Sequence, residues 1–190
     1  GYENFVNSKI TFNTVLNSKL SARSNLMSGL YVNQLYYNLK ENGYNDEEDR
    51  MQTHINSKGS TQSIQAFSQL NYRASERLTL NAGLHYLQLL LNNSSSIEPR
   101  LSASYELDEK QRISIGYGLH SQVQPLGTYF AEQEENGRVI LPNHDLGFSK
   151  SHHWVIGYDR QLNPYLRMKV EGYFQHLYNI PVKPGETETY

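Results

Sequence analysis

Residues 101–120 read LSASYELDEKQRISIGYGLH. On both sides of the polar DEKQ, every second residue is apolar, and the residues between are serine, glycine, glutamate or arginine. Successive side chains of a β-strand point to opposite faces of the sheet. The stretch therefore predicts two strands, each with one apolar and one polar face, joined by a short polar turn.

The same period of two recurs along the whole chain. It marks eight segments: 8–20, 25–40, 62–73, 78–91, 97–107, 112–120, 152–162 and 165–178. Many of them are longer than the roughly 5–6 residues of a common globular strand. We predict an all-β fold, an up-and-down antiparallel meander of about eight long strands, in which residues 1–190 form a single β-barrel segment.

The connections between these strands differ in length. Short polar turns are expected near 21–24, 75–77, 108–111 and 162–165, a more irregular joint near 92–96, and long loops at about 41–61 and 121–151. In a meander, alternate joints lie at opposite ends of the sheet, so the short turns share one end and the longer joints the other. Outer-membrane barrels show this asymmetry, with short periplasmic turns and longer external loops.

Composition excludes several classes of function. The 190 residues include no cysteine, which removes disulfides and thiolate metal sites, and the net charge of -2 gives no basic surface for nucleic acid. No apolar run approaches the ~18 residues of a membrane-spanning helix. Phosphate-binding glycine loops, dinucleotide fingerprints and nucleophile elbows are absent from the sequence, so we expect neither cofactor nor catalysis.

Alternation alone leaves open which face meets water. A soluble barrel turns its apolar face inward, whereas a membrane barrel turns it to lipid. The long strands and the charged polar face favour lipid. Tyrosines near strand ends do so too, as in an interfacial girdle: Tyr37, Tyr72, Tyr86, Tyr158, Tyr165 and Tyr178. We expect the chain to lie in the bacterial outer membrane and to contact its lipid. The alternative is a solvated sheet on which tyrosine and serine are ordinary surface residues.

From Ile97 onward the chain resembles the TonB-dependent receptor barrels of bacterial outer membranes. The motifs are EPRLSASY (98–105), ISIGYGLHSQ (113–122), NHDL (143–146), SHHWVIGY (151–158), VEGYF (170–174) and LYNIPV (177–182). The clear match covers about 97–182, and the first half agrees only in pattern. The resemblance implies part of an active-uptake receptor for a nutrient such as an iron chelate or a glycan.

A complete receptor of this type has about 22 strands and a plugged lumen. No plug or energy-coupling box appears in this chain, nor a signal peptide, and residues 184–190 read as a loop. We therefore expect an excerpt of a barrel or a short gene remnant, which would contact the TonB system only through a plug outside it. The alternative is a small independent eight-stranded barrel or curved-sheet module of the cell envelope. Exposed edge strands predict closure of the sheet on itself or pairing with another copy.

Ligand contacts are expected on the second long loop. Its start, QVQPLGTYF (122–130), offers Gln122, Gln124, Tyr129 and Phe130, which mix amides with adjacent aromatics, and Trp154 is the fifth candidate. Such side chains can hydrogen-bond to and stack on a polar ligand. The alternative is that this stretch packs the loop against its own barrel.

Histidines and carboxylates do not combine into a metal site. His152 and His153 point to opposite faces of a strand, and the spacing from His144 to His152 is too wide for a tight zinc motif. We therefore predict no metal. The acidic runs DEED (46–49) and EQEE (132–135) are predicted to be solvated loops; the alternative is a weak divalent-cation or lipopolysaccharide-bridging site.

Overall fold

The chain forms ten strands and one short helix in a computed structural model that describes residues 1–45, 49–135 and 137–181. The elements are β1 (Tyr2–Lys19), β2 (Ser24–Asn45), β3 (Arg50–Arg73), β4 (Leu78–Leu89), β5 (Ser94–Asp108), β6 (Gln111–Gln122), α1 (Leu126–Tyr129), β7 (Gln133–Glu135), β8 (Arg138–Ile140), β9 (Ser149–Asn163) and β10 (Leu166–Tyr178). The predicted all-β meander of eight long strands is confirmed.

One antiparallel sheet contains the eight long strands in the order β1-β2-β3-β4-β5-β6-β9-β10. Each long strand pairs with the preceding and the following long strand, so β6 pairs with β9. Between them, β7 and β8 form a separate two-stranded ribbon. Strands β1 and β10 lie at the two edges, so the described residues form an open, curled sheet. The predicted closure of the eight strands on themselves is therefore not observed.

The register assembles the apolar side chains into cross-strand rows on one face. Ile115 pairs with Ile156, and Tyr117 pairs with Leu101 on one side and Trp154 on the other. Ile115 and Ile156 are 60% and 63% exposed, far more than a soluble core residue. We call this the outer face; the inner face carries the alternate residues, which are mostly serine, asparagine, glycine and charged side chains.

All four predicted polar turns carry side-chain hydrogen bonds that close them; in the first, Ser21 Oγ accepts from the backbone N–H of Arg23 at 3.1 Å. Ser75 Oγ accepts from the backbone N–H of Arg77 and Leu78 at 3.2 and 3.0 Å. Asp108 Oδ1 accepts from Lys110 N at 2.8 Å, and Asn163 Oδ1 accepts from Tyr165 N at 2.9 Å. Serine, aspartate and asparagine favour turns because they offer the backbone this local acceptor.

The opposite end of the sheet differs from the sequence prediction. The loop expected at 41–61 is wrong: β2 runs to Asn45 and β3 begins at Arg50, paired to each other throughout with one irregularity after Glu41. This segment is polar and loses clean alternation, yet ladder hydrogen bonds join backbone groups and need no apolar side chain. Residues 46–48 of the predicted acidic run lie outside the described residues. The β4–β5 joint spans only 90–93, and the loop expected at 121–151 corresponds to 123–148.

Strands β1, β2 and β3 project beyond the rest of the sheet at this end. The last β3–β4 pair joins Ser63 to Leu89, so residues 50–62 of β3 continue without β4 as a neighbour. Thirteen residues at about 3.3 Å each extend roughly 40 Å. We call residues 2–10, 34–45 and 50–62 the projection.

A compact apolar core lies on the inner side, where the loop 123–148 folds against the projection and β4. Its buried members are Tyr37, Leu39, Ile55, Leu87, Leu89, Tyr129, Phe130 and Phe148. Tyr37, which the sequence suggested for the interfacial girdle, belongs instead to this core. The core fixes the position of the loop at the mouth of the barrel segment.

Candidate ligand-binding site at the loop end

The aromatic pair of the loop anchors it to the projection. Tyr129 is fully buried, and the ring of Phe130 lies 4.7 Å from that of Tyr37, centroid to centroid. The Tyr129 hydroxyl oxygen accepts a hydrogen bond from the backbone N–H of Gln124 at 3.2 Å. Burial of the phenol raises the pKa of Tyr129 above its ordinary value. The pair therefore packs as protein core in this arrangement.

Glu132 covers part of the β3 edge that β4 leaves unpaired. Its backbone N–H donates to the carbonyl oxygen of His54 at 2.8 Å, and its Oε1 accepts from the backbone N–H of Asn56 at 3.2 Å. Open strand edges invite pairing with other chains, and covering them by a loop is a common remedy. The nearby ion pair between Arg50 and Glu134, at 3.2 Å, is half-exposed and adds little.

An open cavity of about 430 Å³ lies between the projection and the loop. Its walls are Phe5, Asn7 and Ile55 from the projection, with Pro125, Leu126, Gly127, Thr128, Ala131 and Asn143 from the loop. A Cβ added at Gly127 would lie 3.3 Å from the Phe5 ring, so glycine permits the close approach of loop and ring. An apolar wall with a few convergent polar groups, in a volume of roughly 300–1,000 Å³, is typical of a small-molecule site.

The structure brings together only some of the five residues predicted from the sequence. Gln124 and Tyr129 are joined by their hydrogen bond with Phe130 beside them, and the Gln124 amide also donates to Ser149 Oγ at 2.7 Å. Gln122 is exposed at the end of β6, whereas Trp154 lies on the outer face, separated from the others. Ligand contact by these five residues stays a prediction.

Sequence reasoning missed the residues that line the cavity. Phe5 and Asn7 lie in the weakly resembling first half, and Asn143 is more than 130 residues away along the chain. No local pattern links them, because they meet only through the docking of the loop on the projection. The local signal is limited to the apolar pair Phe5-Val6 within a polar stretch near the start of the sequence.

A second polar site lies on the inner face of the sheet, around a buried carboxylate. Glu98 is 1% exposed; its Oε2 lies 3.0 Å from His85 Nδ1 and 3.1 Å from an Arg100 guanidinium nitrogen. Its Oε1 accepts from the backbone N–H of Ser121 at 3.1 Å. The β5–β6 ladder ends at the pair of Arg100 and Gly118, so this carboxylate replaces a missing strand partner.

Replacing Glu98 with alanine is expected to destabilise the barrel by about 1–3 kcal/mol, because the His85 ring and the Ser121 N–H lose a buried partner. The measurement is urea unfolding of the receptor that contains this chain, in detergent micelles. Glu106→Ala is the matched control, since Glu106 is exposed on the same strand and face. An equal loss in both variants would contradict the role assigned to Glu98.

Beside this carboxylate, the inner face holds an open cavity of about 320 Å³ with cationic and amide walls. Arg100, His120 and His153 line it together with Gln69, Asn81 and Ser102, among others. The two histidine rings lie 4.7 Å apart, edge to face. Such donors can hold a polar or anionic group that enters the lumen.

Within the described parts of the chain, no group of three or more histidine or carboxylate side chains is placed to hold a metal ion. In the second acidic run, Glu132 and Glu134 take part in the contacts between loop and projection described above. Among the same residues, no helix has the length and apolarity needed to cross a membrane.

Comparison with known proteins identifies the family. The family model described as TonB dependent receptor-like, beta-barrel, matches residues 1–189. The chain belongs to the TonB-dependent receptor-like β-barrel family. The match includes the first half of the chain, which has the strand pattern but none of the motifs found from Ile97 onward. Family membership places this barrel segment in the bacterial outer membrane.

Solved structures show the same fold for the receptor barrel. The copper transporter OprC aligns with a TM-score of 0.67 at 13% sequence identity, over 92% of this chain and 31% of the OprC chain. The chain therefore spans about a third of the length of that transporter. A search of curated proteins finds no match. Together with the open sheet, the family match favours a segment of a large receptor barrel over a small independent barrel.

Proposed function

We propose that this chain is part of an outer-membrane TonB-dependent receptor that takes up a nutrient, and that the cavity between loop and projection contacts the nutrient at the external mouth. The observation that carries the proposal is the position of this cavity beside the loop 123–148, the longest connection between the long strands of the described residues. The long loops of outer-membrane barrels face outward. Coupling to the TonB system would run through a plug that lies outside these residues.

The chemistry of the cavity favours a neutral glycan as the nutrient. The Phe5 ring offers a face for the C–H groups of a sugar, and the side chains of Asn7, Thr128 and Asn143 offer donors and acceptors for its hydroxyls. Among the described residues that line this cavity, none is charged. A neutral lining lacks the cations that an anionic iron chelate requires for tight binding.

An iron chelate is the second candidate, and the inner-face cavity is the observation that favours it. Arg100, His120 and His153 provide cationic and N–H donor groups on the path that a ligand would follow through the lumen. The copper that OprC transports by its name is not carried over to this chain, since an identity of 13% supports only a common fold.

Binding measurements on the purified receptor that contains this chain test the proposal. We expect Phe5→Ala to weaken binding of malto-oligosaccharides or another neutral glycan about five- to tenfold, because the lost ring contact removes about 1 kcal/mol. The control is Val139→Ala, on the exposed β8 ribbon outside the cavity. The second candidate would be established if the receptor bound none of a broad panel of neutral glycans but bound ferric citrate, and if Arg100→Ala weakened the binding of ferric citrate.

A further inference from the structure

A continuous group of aromatic rings lies on the outer face, near the loop end of β6, β9 and β10. It consists of Tyr117, His152, Trp154, Phe174, His176 and Tyr178. The His152 ring stacks 5.2 Å from that of Tyr178 and 5.5 Å from that of Trp154, and its Nδ1 lies 2.9 Å from the Tyr117 hydroxyl. The rings hold two imidazoles together in one surface patch.

The position of this patch follows from the order of outer-face residues along β9. From the turn end, they are Arg160, Tyr158, Ile156, Trp154, His152 and Lys150. Ten residues from Arg160 to Lys150 span about 33 Å along the strand. With the usual barrel tilt of about 40°, this becomes roughly 25 Å, the height of the apolar band of an outer-membrane barrel. His152 and Lys150 therefore lie where the hydrocarbon ends and the lipid headgroups begin.

The charge on this surface has one sign. Between the levels of Arg160 and Lys150, the described outer-face residues of β4, β5, β6, β9 and β10 include no aspartate or glutamate. The acidic residues Glu98, Asp159 and Glu171 alternate onto the inner face. Lys150 pairs directly with Tyr178, and His152 with His176, so three N–H-bearing side chains share the patch.

We propose that Lys150, His152 and His176, framed by Trp154 and Tyr178, bind the phosphate of an anionic lipid headgroup in the outer leaflet. The ammonium and imidazole groups donate hydrogen bonds to the phosphate oxygens, and the rings pack beside the upper part of the acyl chains. A cation near an anionic membrane surface gains attraction from it, and a fixed cluster converts this general attraction into a site for one headgroup. The site is separate from the nutrient cavity, since it lies on the opposite face.

Native mass spectrometry of the receptor that contains this chain, in mixed micelles of a neutral detergent with either lipid A or phosphatidylcholine, tests the site. We expect the variant K150A/H152N/H176N to bind lipid A about tenfold more weakly than the unmodified receptor, with phosphatidylcholine binding unchanged. The matched control is His153→Asn, next to His152 on the same strand but on the inner face. It should bind lipid A as the unmodified receptor does.

Several outcomes would overturn the proposal. The first is unchanged lipid A binding in the triple variant, and the second is an equal loss of lipid A binding in His153→Asn. The third is an equal loss of phosphatidylcholine binding in the triple variant, which would indicate that the rings form only an interfacial girdle. If inorganic phosphate displaced bound lipid A as effectively as added lipid A does, the site would bind a soluble anion and not a lipid headgroup. If the triple variant fails to insert, His176→Asn alone should still weaken lipid A binding about two- to threefold, and no change there would equally refute the site.

Discussion

Replacing Ile115 with arginine is expected to destabilise the receptor barrel in lipid vesicles by about 2–4 kcal/mol. Ile115 lies on the outer face between Ala103 and Ile156, in the middle of the apolar band. An arginine there must leave water for hydrocarbon, or deform the bilayer so that its guanidinium reaches a headgroup. The change in the free energy of unfolding is measured by urea titration of the receptor in vesicles. The folded fraction at each urea concentration is read from the gel mobility of the folded form.

The matched control is Ser104→Arg, on the neighbouring strand but on the inner face. Ser104 pairs with Ser114 and faces the polar lumen, so an added guanidinium stays hydrated and the free energy of unfolding should change by less than about 1 kcal/mol. Leu107→Arg, near the turn end of β5, should fall between the two, since the cost of a charge declines towards the interface. If Ser104→Arg destabilised as much as Ile115→Arg, the assignment of the outer face to lipid would be wrong.

Tyr129→Ala is expected to weaken the docking of the loop 123–148 by about 3–5 kcal/mol, the loss typical of a large aromatic ring removed from a core. The fully buried ring packs within the core formed by loop, projection and β4, and it also carries the hydroxyl that accepts from Gln124. The loop should then detach, and brief proteolysis of the intact receptor should cleave it while the strands stay protected.

Tyr129→Phe separates the two contributions of this side chain. It keeps the ring and removes only the hydroxyl, so the expected loss is about 1 kcal/mol, with the loop still resistant to protease. This pair also bears on the ligand role predicted for Tyr129. If Tyr129→Ala left the loop resistant to protease but abolished nutrient binding, the residue would act as a ligand contact, and the packing described for it would be wrong.

Much of the sheet could be predicted because strand patterning is local. Each outer-face residue of β5 and β6 is two positions from the next, and the turn at 108–111 has the polar residues that close it. The same locality explains the error at 41–61. The side chains there carry no clear signal, and the long pairing of β2 with β3 depends on backbone groups that every residue has.

The candidate sites were predicted less completely for a related reason. The stretch 122–130 contained the correct loop and two of its core aromatics, but a mixture of amides and rings suits packing and binding equally. Whether Tyr129 faces a ligand or Tyr37 and Leu39 depends on where the loop folds. The sequence prediction of ligand contacts includes Trp154, although the alternation along β9 places this residue among the lipid-facing rows.

Short-range patterns predict most of the strands, the apolar face of each, and the motifs that resemble a receptor barrel, since these depend on neighbours one or two positions apart. The folded sheet and the docked loop are needed to place Phe5 and Asn143 in one cavity, to put Glu98 where a strand partner is missing, and to stack His152 against Tyr178. These contacts join residues from different strands and loops. Their geometry is set by register and by loop docking, which no short stretch of sequence contains.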